Sequence, residues 1–409
     1  MPRLPLRWLV VGTIVLSSTL NYLDRQLLAA AAPTLKSEFH LNNTQYGQVG
    51  SVFSIGYALV APLAGLFIDR VGLSAGVSIA VIVWSLAAAA TGATHTLPAF
   101  LACRALLGIA EAAGIPATGK AFATYLPPGE LALGTASNQI GISIGASAAP
   151  LLLATMAPVY GWRTTFVLCG ALGFLWVPVW WWVAMRRIAV GQVLTCPEHS
   201  SPPSMDRKPI GTPLADLFHD RQFYGVVATA VFIMMLYALW TNWTTIYLVQ
   251  QHHLTQDEAN RRFTWIPPVF ATLGGFAGGG IMYFWIRRGV AVVKARIRLC
   301  SFAAIILLVT AAVPLMPAPE LAIAVISLSF FLTVAISVAV YALPIDLFGA
   351  ARAGFCIAAL TCAYGLMQAV LLPVIGMMVD RFGFGMVCAA LSLSPLAGVG
   401  ILRWSLRDA

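Results

Sequence analysis

Leu20-Asn21-Tyr22-Leu23-Asp24-Arg25-Gln26-Leu27-Leu28 sets an acid and a base side by side in the middle of an apolar stretch. That stretch, from Trp8 to Ala32, is long enough to cross a bilayer as a helix of about 20 residues. An ionisable side chain at bilayer depth costs at least ~2.5–3.5 kcal/mol unless it faces a partner or a wet cavity. A membrane helix that keeps both signs of charge handles charge, and this directs the reading to a transport pathway.

The rest of the chain has the same character. Of 409 residues, 59% are hydrophobic and only 10% charged, against about 25% charged in a soluble domain. Apolar stretches recur from end to end and leave no room for a sizeable soluble domain. About twelve spans are predicted, near 8–32, 45–68, 74–94, 97–118, 131–158, 164–185, 223–250, 263–286, 292–314, 320–346, 352–379 and 384–403. The fold class is therefore all-α and integral to the membrane.

The net charge of +9 follows topology and not a nucleic-acid partner. With a cytoplasmic N-terminus, about seventeen of the Lys and Arg residues fall inside, about five outside and about two within the membrane. The outside set is Lys36, Arg163, Arg261, Arg262 and Arg381. The first span follows Arg3 and Arg7 as a signal peptide would, but it is too long for one and carries Asp24-Arg25, so it reads as a retained helix. The seven cysteines are scattered and mostly lie in apolar spans, without disulfide or metal spacing. Asn42-Asn43-Thr44 matches a glycosylation sequon on the outer side.

The spans split six and six around a polar stretch, Arg186 to Asp220, rich in Pro and Ser. The expected organisation is an N-terminal bundle over 1–187, a cytoplasmic linker over 188–220 with a short surface helix at Pro213–Phe218, and a C-terminal bundle over 221–409. The halves echo one another: Gly65-Leu-Phe-Ile-Asp69-Arg70-Val-Gly72 ends the second span and Gly280 to Gly289 ends the eighth, while Pro150 and Pro373 fall late in the fifth and eleventh. A duplicated bundle with a midplane site between its halves is how secondary transporters are built. Small residues mark close helix approach at Gly141, Gly145 and the Gly274–Gly280 run. Pro116, Pro267 and Pro268 fall within spans and are read as bends.

The tract Asn21-Tyr22-Leu-Asp24-Arg25, then Gly65-x-x-x-Asp69-Arg70-x-Gly72, then Arg104-Ala-Leu-Leu-Gly108-Ile-Ala-Glu111 resembles the major facilitator superfamily. More narrowly it resembles the anion:cation symporter family, which includes hexuronate and galactonate transporters and sialin. Gly161-Trp162-Arg163, the stretch Ile266 to Gly275 and Leu343-Pro-Ile-Asp346-Leu-Phe348 extend the likeness over nearly the whole chain. The resemblance implies twelve helices in two pseudo-symmetric bundles and proton-coupled import of an organic anion, such as a sugar acid, by alternating access. It also implies no cofactor, cytoplasmic termini, a bacterial inner membrane and a monomer whose partners are the anion, protons and the lipid bilayer. The chain departs from several sugar-acid members in its eleventh helix. Where they have asparagines it has Cys362 and Leu366, with Tyr364 and Gln368 nearby, which leaves the substrate open.

Arg25 is the leading substrate-binding candidate. Its planar fork pairs bidentately with a carboxylate and stays charged at any working pH, and the resembling family's matching arginine binds the anion. The alternative is a structural pair with Asp24 or another acid. Arg104 and Glu111 lie two turns apart on one helix face, about 10 Å along the axis. Glu111 is expected to carry the proton with Asp24 as a second site and Arg104 as countercharge, against a fixed salt bridge between the fourth and first helices. Tyr22, Tyr57, Gln139, Trp240, Asn242, Tyr364 and Gln368 can hydrogen-bond or stack on a sugar ring. Asp69, Arg70 and Gly72 form the superfamily's loop motif, for which a gating role is implied.

Other function classes fit less well. The histidines, at 40, 95, 199, 219, 252 and 253, fall in loops or at span ends without ligand spacing, which disfavours a membrane enzyme. Two embedded arginines disfavour the cationic cargo of a drug:proton antiporter. A monocarboxylate carrier stays open, and short loops disfavour a sensor.

Overall fold

The computed structural model describes residues 6–190 and 214–407. Among these residues there is no strand. Nine helices are long and apolar enough to cross a membrane. Two of them are too long for one crossing: Leu131–Val190 has 60 residues, about 90 Å at 1.5 Å per residue, against a hydrocarbon core of about 30 Å. It breaks at Gly161, where φ is 78° and ψ 158°, a conformation that only glycine adopts without strain. The chain doubles back there, because Gly141 packs on Val15 and Trp176 returns to bond the carbonyl of Thr13. Gly383, at φ 73°, does the same inside Ala350–Ser392. With the first helix, these breaks bring the count to twelve.

The helices are α1 (Leu6–Ala30, extended by Ala32–Glu38), α2 (Asn43–Val71), α3 (Leu73–Gly92) and α4 (Leu97–Glu111, resuming as Gly114–Tyr125). The arms of Leu131–Val190 on either side of Gly161 are α5 and α6. The second set is α7 (Arg221–Gln251), α8 (Ile266–Arg287), α9 (Val292–Ile306, continued by a 3₁₀ run) and α10 (Pro319–Phe348). The arms around Gly383 are α11 and α12, the latter ending in Ser394–Ser405. Every predicted span is found, most within a few residues of its expected ends.

Of the expected linker, residues 191–213 lie outside the described residues. Its end forms a short 3₁₀ helix, Leu214–His219, close to the expected surface helix. Pro267 and Pro268 correct one expectation. They do not bend a helix but open α8, in its first turn, where no amide proton is needed. A five-residue π turn, Asn260–Thr264, precedes them. Asn42 of the sequon is the N-cap of α2, with a reciprocal capping box to Gln45.

An even number of crossings puts the start of α1 and the end of α12 on one face, called proximal here. On the opposite, distal face the two halves are hydrogen-bonded together. Asn260 Nδ2 donates to the carbonyl of Ala30 at 2.9 Å, Ser143 Oγ to Pro268 at 2.6 Å and Ser147 Oγ to Trp265 at 2.9 Å. Asp380, near the end of α11, accepts from the backbone amides of Asn43 and Thr44 at 3.1 and 2.9 Å, capping α2 from the other half. Tyr46 meets Trp243 edge-on at 5.3 Å across the same seam. Gly47 and Gly376 allow this approach, since a Cβ on either would fall 2.2–2.3 Å from a carbonyl oxygen of the other half. On the proximal face, among the described residues, the ion pairs stay within one half: Lys120–Asp69 at 2.7 Å in the first and Arg296–Asp346 at 2.5 Å in the second. The molecule is closed distally.

The halves also differ inside. The second has one main apolar core, which also takes in Ala32 and Tyr46 of the first, and a small satellite of Leu217, Phe223 and Cys356. In the first, the core is split into a proximal cluster holding Leu20 and Leu107 and a distal one holding Leu23 and Phe100. The charged residues of α1 and α4 fill the layer between.

Candidate functional site

That layer is built by two helices. On α1, Asn21 and Arg25 are one turn apart and project to one side. On α4, the helix stops at Glu111 and resumes at Gly114. Pro116 explains the interruption, because it lacks the amide that would bond the carbonyl of Ala112. The predicted bend is therefore real and falls beside the acid.

Arg25 Nε donates to Glu111 Oε2 at 2.5 Å. The pair lies deep in the molecule: Glu111 is 1% exposed. Three rings surround the guanidinium, with Tyr57, Phe53 and Tyr22 centred 4.7, 5.0 and 5.2 Å from Cζ. Such faces stabilise a cation by ~0.5–2 kcal/mol each when desolvated. Glu111 Oε1 and Asp24 Oδ1 are buried without a hydrogen-bond partner. A carboxylate oxygen left so pays the desolvation of its charge without return.

Arg104, expected as the countercharge of Glu111, does not pair with it directly. It is buried in the distal part of the layer, 3.5 Å from Thr91 Oγ1 and over the rings of Phe100 and Phe166. Arg25 reaches Glu111 instead, because the two-turn separation along α4 exceeds what the side chains close. The ion pair joins the first and fourth helices, as one sequence alternative had it.

A cavity of about 460 Å³ opens beside the pair, lined by Asn21, Tyr22, Arg25, Tyr57, Glu111 and Gln139 among others. A lobe of about 280 Å³ continues it toward the second half, reaching Tyr237, Ser337, Tyr341, Tyr364 and Gln368. The range of small-molecule sites is about 300–1,000 Å³. Six of the eight expected binding residues are thus gathered around one space: Arg25, Tyr22, Tyr57, Gln139, Tyr364 and Gln368. Gln368 Nε2 donates to Tyr364 Oη at 2.9 Å, so these two act as a unit.

Trp240 sits elsewhere. Trp240 is 1% exposed, packed edge-on to Tyr247 and touching only a narrow crevice of about 30 Å³. Asn242 reaches the site from its distal side: its amide returns to the carbonyl of Ala238, and it lines a side lobe of about 70 Å³ together with Tyr22, Arg25, Tyr364 and Gln368. Phe53, Ser337, Tyr341 and Asn138 line the cavity without having been singled out. Phe53 stands one turn before Tyr57, and Ser337 one turn before Tyr341, so an i, i+4 search from a chosen tyrosine finds the first. Of the loop motif, Asp69 is held by Lys120, Arg70 is exposed, and Gly72 takes a positive φ of 89° between α2 and α3.

The family model described as Major Facilitator Superfamily matches residues 14–370. The chain belongs to that superfamily. It is an integral membrane transporter and not an enzyme. Its relatives within the superfamily include the hexuronate transporter of Escherichia coli K12, 25% identical over 98% of this chain and 94% of that one. The galacturonate transporter of Dickeya chrysanthemi is 26% identical over 78% and 94%. Among solved structures, a bacterial homologue of the human lysosomal transporter Spinster, inward-facing and unoccupied, superposes with TM-score 0.74 at 19% identity, covering 98% and 96% of the two chains. The D-xylose–proton symporter gives 0.74 at 16% identity over 97% of each. At such identities these two structures speak for the superfamily's fold alone.

Proposed function

We propose that the chain imports an organic anion, a sugar acid such as a hexuronate or aldonate, together with protons across a bacterial inner membrane. The observation that carries this is the Arg25–Glu111 pair, 2.5 Å apart at the wall of a 460 Å³ cavity. The names of the relatives, hexuronate and galacturonate transporters, support the substrate class. Basic residues concentrated on the proximal side support cytoplasmic termini, and the distally sealed state is then inward-facing. The carrier works as a monomer.

The chemistry follows from charge. Asp24 and Glu111 against Arg25 and Arg104 sum to zero. A bound monoanion makes the sum −1, which is costly to carry through a low-dielectric barrier. A proton on Glu111 restores neutrality and releases Arg25, whose fork then turns to the substrate carboxylate. A second proton on Asp24 makes the loaded form +1. Tyr22, Tyr57, Gln139, Tyr364 and Gln368 offer the hydroxyl and amide groups that a polyhydroxylated chain requires.

Uptake into proteoliposomes tests the reading, with galacturonate, glucuronate, galactonate and lactate, each with and without an inward proton gradient. Gradient-stimulated uptake of one sugar acid is expected. In Glu111→Gln, gradient-driven uptake should vanish while exchange of labelled for unlabelled substrate persists. Full gradient response in that variant removes Glu111 from the proton path. Uptake of none of the four rejects the sugar-acid assignment.

A further inference from the structure

The halves neutralise their proximal cations differently. In the first, Arg7 pairs with Glu130 and Lys120 with Asp69, both at 2.7 Å, and Arg70 is exposed. In the second, Arg296 pairs with Asp346. Six others there, Arg287, Arg288, Lys294, Arg298, Arg403 and Arg407, are exposed. Among the described residues none of the six has a carboxylate at ion-pair distance.

Four of the six converge on the seam between α9 and α12. Lys294, Arg298 and Ser301 follow an i, i+4, i+7 pattern and share one stripe of α9. Arg403 Nη2 donates to Ser301 Oγ at 2.8 Å, which ties α12 to that stripe. The two helices run antiparallel, so Arg407, one turn further along α12, comes level with Arg298. Immediately distal to the cations the same seam turns apolar. Phe302 is 63% and Ile305 57% exposed on α9, whereas Trp404 on α12 lies level with the cations under Arg221 of α7 and outside this seam. Facing them on α12, Gly400 is exposed, and a Cβ placed on it would meet nothing within 4 Å. The result is a shallow apolar groove in the bilayer-facing surface with unpaired positive charge at its proximal end.

We infer that this seam binds an anionic phospholipid, its phosphate held by Lys294, Arg298 and Arg403 and an acyl chain laid over Gly400 beside Phe302 and Ile305. Charge complementarity selects the headgroup, and the groove selects a lipid over a soluble anion. An acidic peptide or free phosphate would use the cations and leave the groove empty; a zwitterionic lipid would use the groove and gain little from the cations.

Native mass spectrometry on protein in phosphatidylcholine nanodiscs, titrated with cardiolipin, tests this. Removing a cation near an anionic headgroup weakens binding roughly fivefold, so Lys294→Ala/Arg298→Ala/Arg403→Ala should weaken cardiolipin binding on the order of a hundredfold. Gly400→Leu, which keeps every charge and fills the groove, should weaken it as well. Inorganic phosphate at equal concentration should show no saturable binding. Thermal unfolding in phosphatidylcholine alone establishes that each variant is folded. If the triple variant does not fold, Gly400→Leu and the single charge variants, each expected to lose roughly fivefold, carry the test. Undiminished cardiolipin affinity in the folded triple variant, or in Gly400→Leu, overturns the proposal.

Discussion

In the proposed cycle Arg25 serves two anions in turn, and its surroundings suit it to that. The three rings around its guanidinium stabilise the cation without saturating its donors, so one side stays free for a ligand when Glu111 is neutral. An ammonium cannot copy the fork. Arg25→Lys is therefore expected to lose substrate affinity by roughly 1.5–3 kcal/mol, on the order of tenfold to a hundredfold, as read by calorimetric titration at fixed pH. Near-normal affinity in that variant would mean the anion is anchored elsewhere. The identities of Arg25, Asp24, Glu111 and Arg104 were legible in the sequence because charge is conspicuous in an apolar helix. Their pairing was not. Arg25 and Glu111 lie 86 residues apart on different helices, and which of two arginines reaches Glu111 depends on the rotation of α1 against α4. Trp240 shows the same limit: it sits on a polar-aromatic turn of α7, yet the helix presents it to the core.

At the scale of the helix, small residues do two different jobs that composition does not separate. In α8, a Cβ on Gly274 would fall 2.0 Å from the carbonyl oxygen of Phe331, and one on Gly278 2.7 Å from that of Ala335, so both set the contact with α10. Gly279 and Gly280 have nothing within 4 Å of the same position. Gly278→Leu should force α8 from α10 and cost at least about 1–3 kcal/mol. Gly280→Ala should be neutral or stabilising by up to ~1 kcal/mol, from helix propensity. Thermal unfolding in detergent compares the two, and equal losses would contradict this division. The spans themselves were legible from apolar length, and the reversals at Gly161 and Gly383 fell between predicted spans. The π turn before α8 was not: of Asn260 to Thr264 all but the buried Phe263 are polar or charged like any loop. What folds them is the amide of Asn260, which bonds the carbonyl of Ala30 in the other half.

For the molecule as a whole, the distal closure has an electrostatic component. Asp380 of the second half supplies a carboxylate to the N-terminus of α2 in the first, where backbone amides are otherwise unpaired and the helix dipole favours negative charge. Asp69 ends α2 on the other face and here keeps to its own half through Lys120. Asp380→Asn retains the shape and loses the charge. It should weaken the cap by about 1–2 kcal/mol and shift the population toward the distally open form by roughly fivefold to thirtyfold. Distances between spin labels on the distal ends of α2 and α11 would report it; an unchanged distribution would mean the closure rests on packing alone. The six-and-six division of spans was readable from the sequence, but this contact joins residues some 336 positions apart and becomes visible only in three dimensions.

The edge-on contact of Tyr46 with Trp243 gives the carrier an optical consequence. Trp243 is wholly buried at the seam that must part when the distal side opens. Its indole would then pass from an apolar enclosure to water, and its emission would move to longer wavelength. In a variant keeping only this one of the twelve tryptophans, each turnover would be accompanied by a colour change, letting opening and closing be timed without any attached dye.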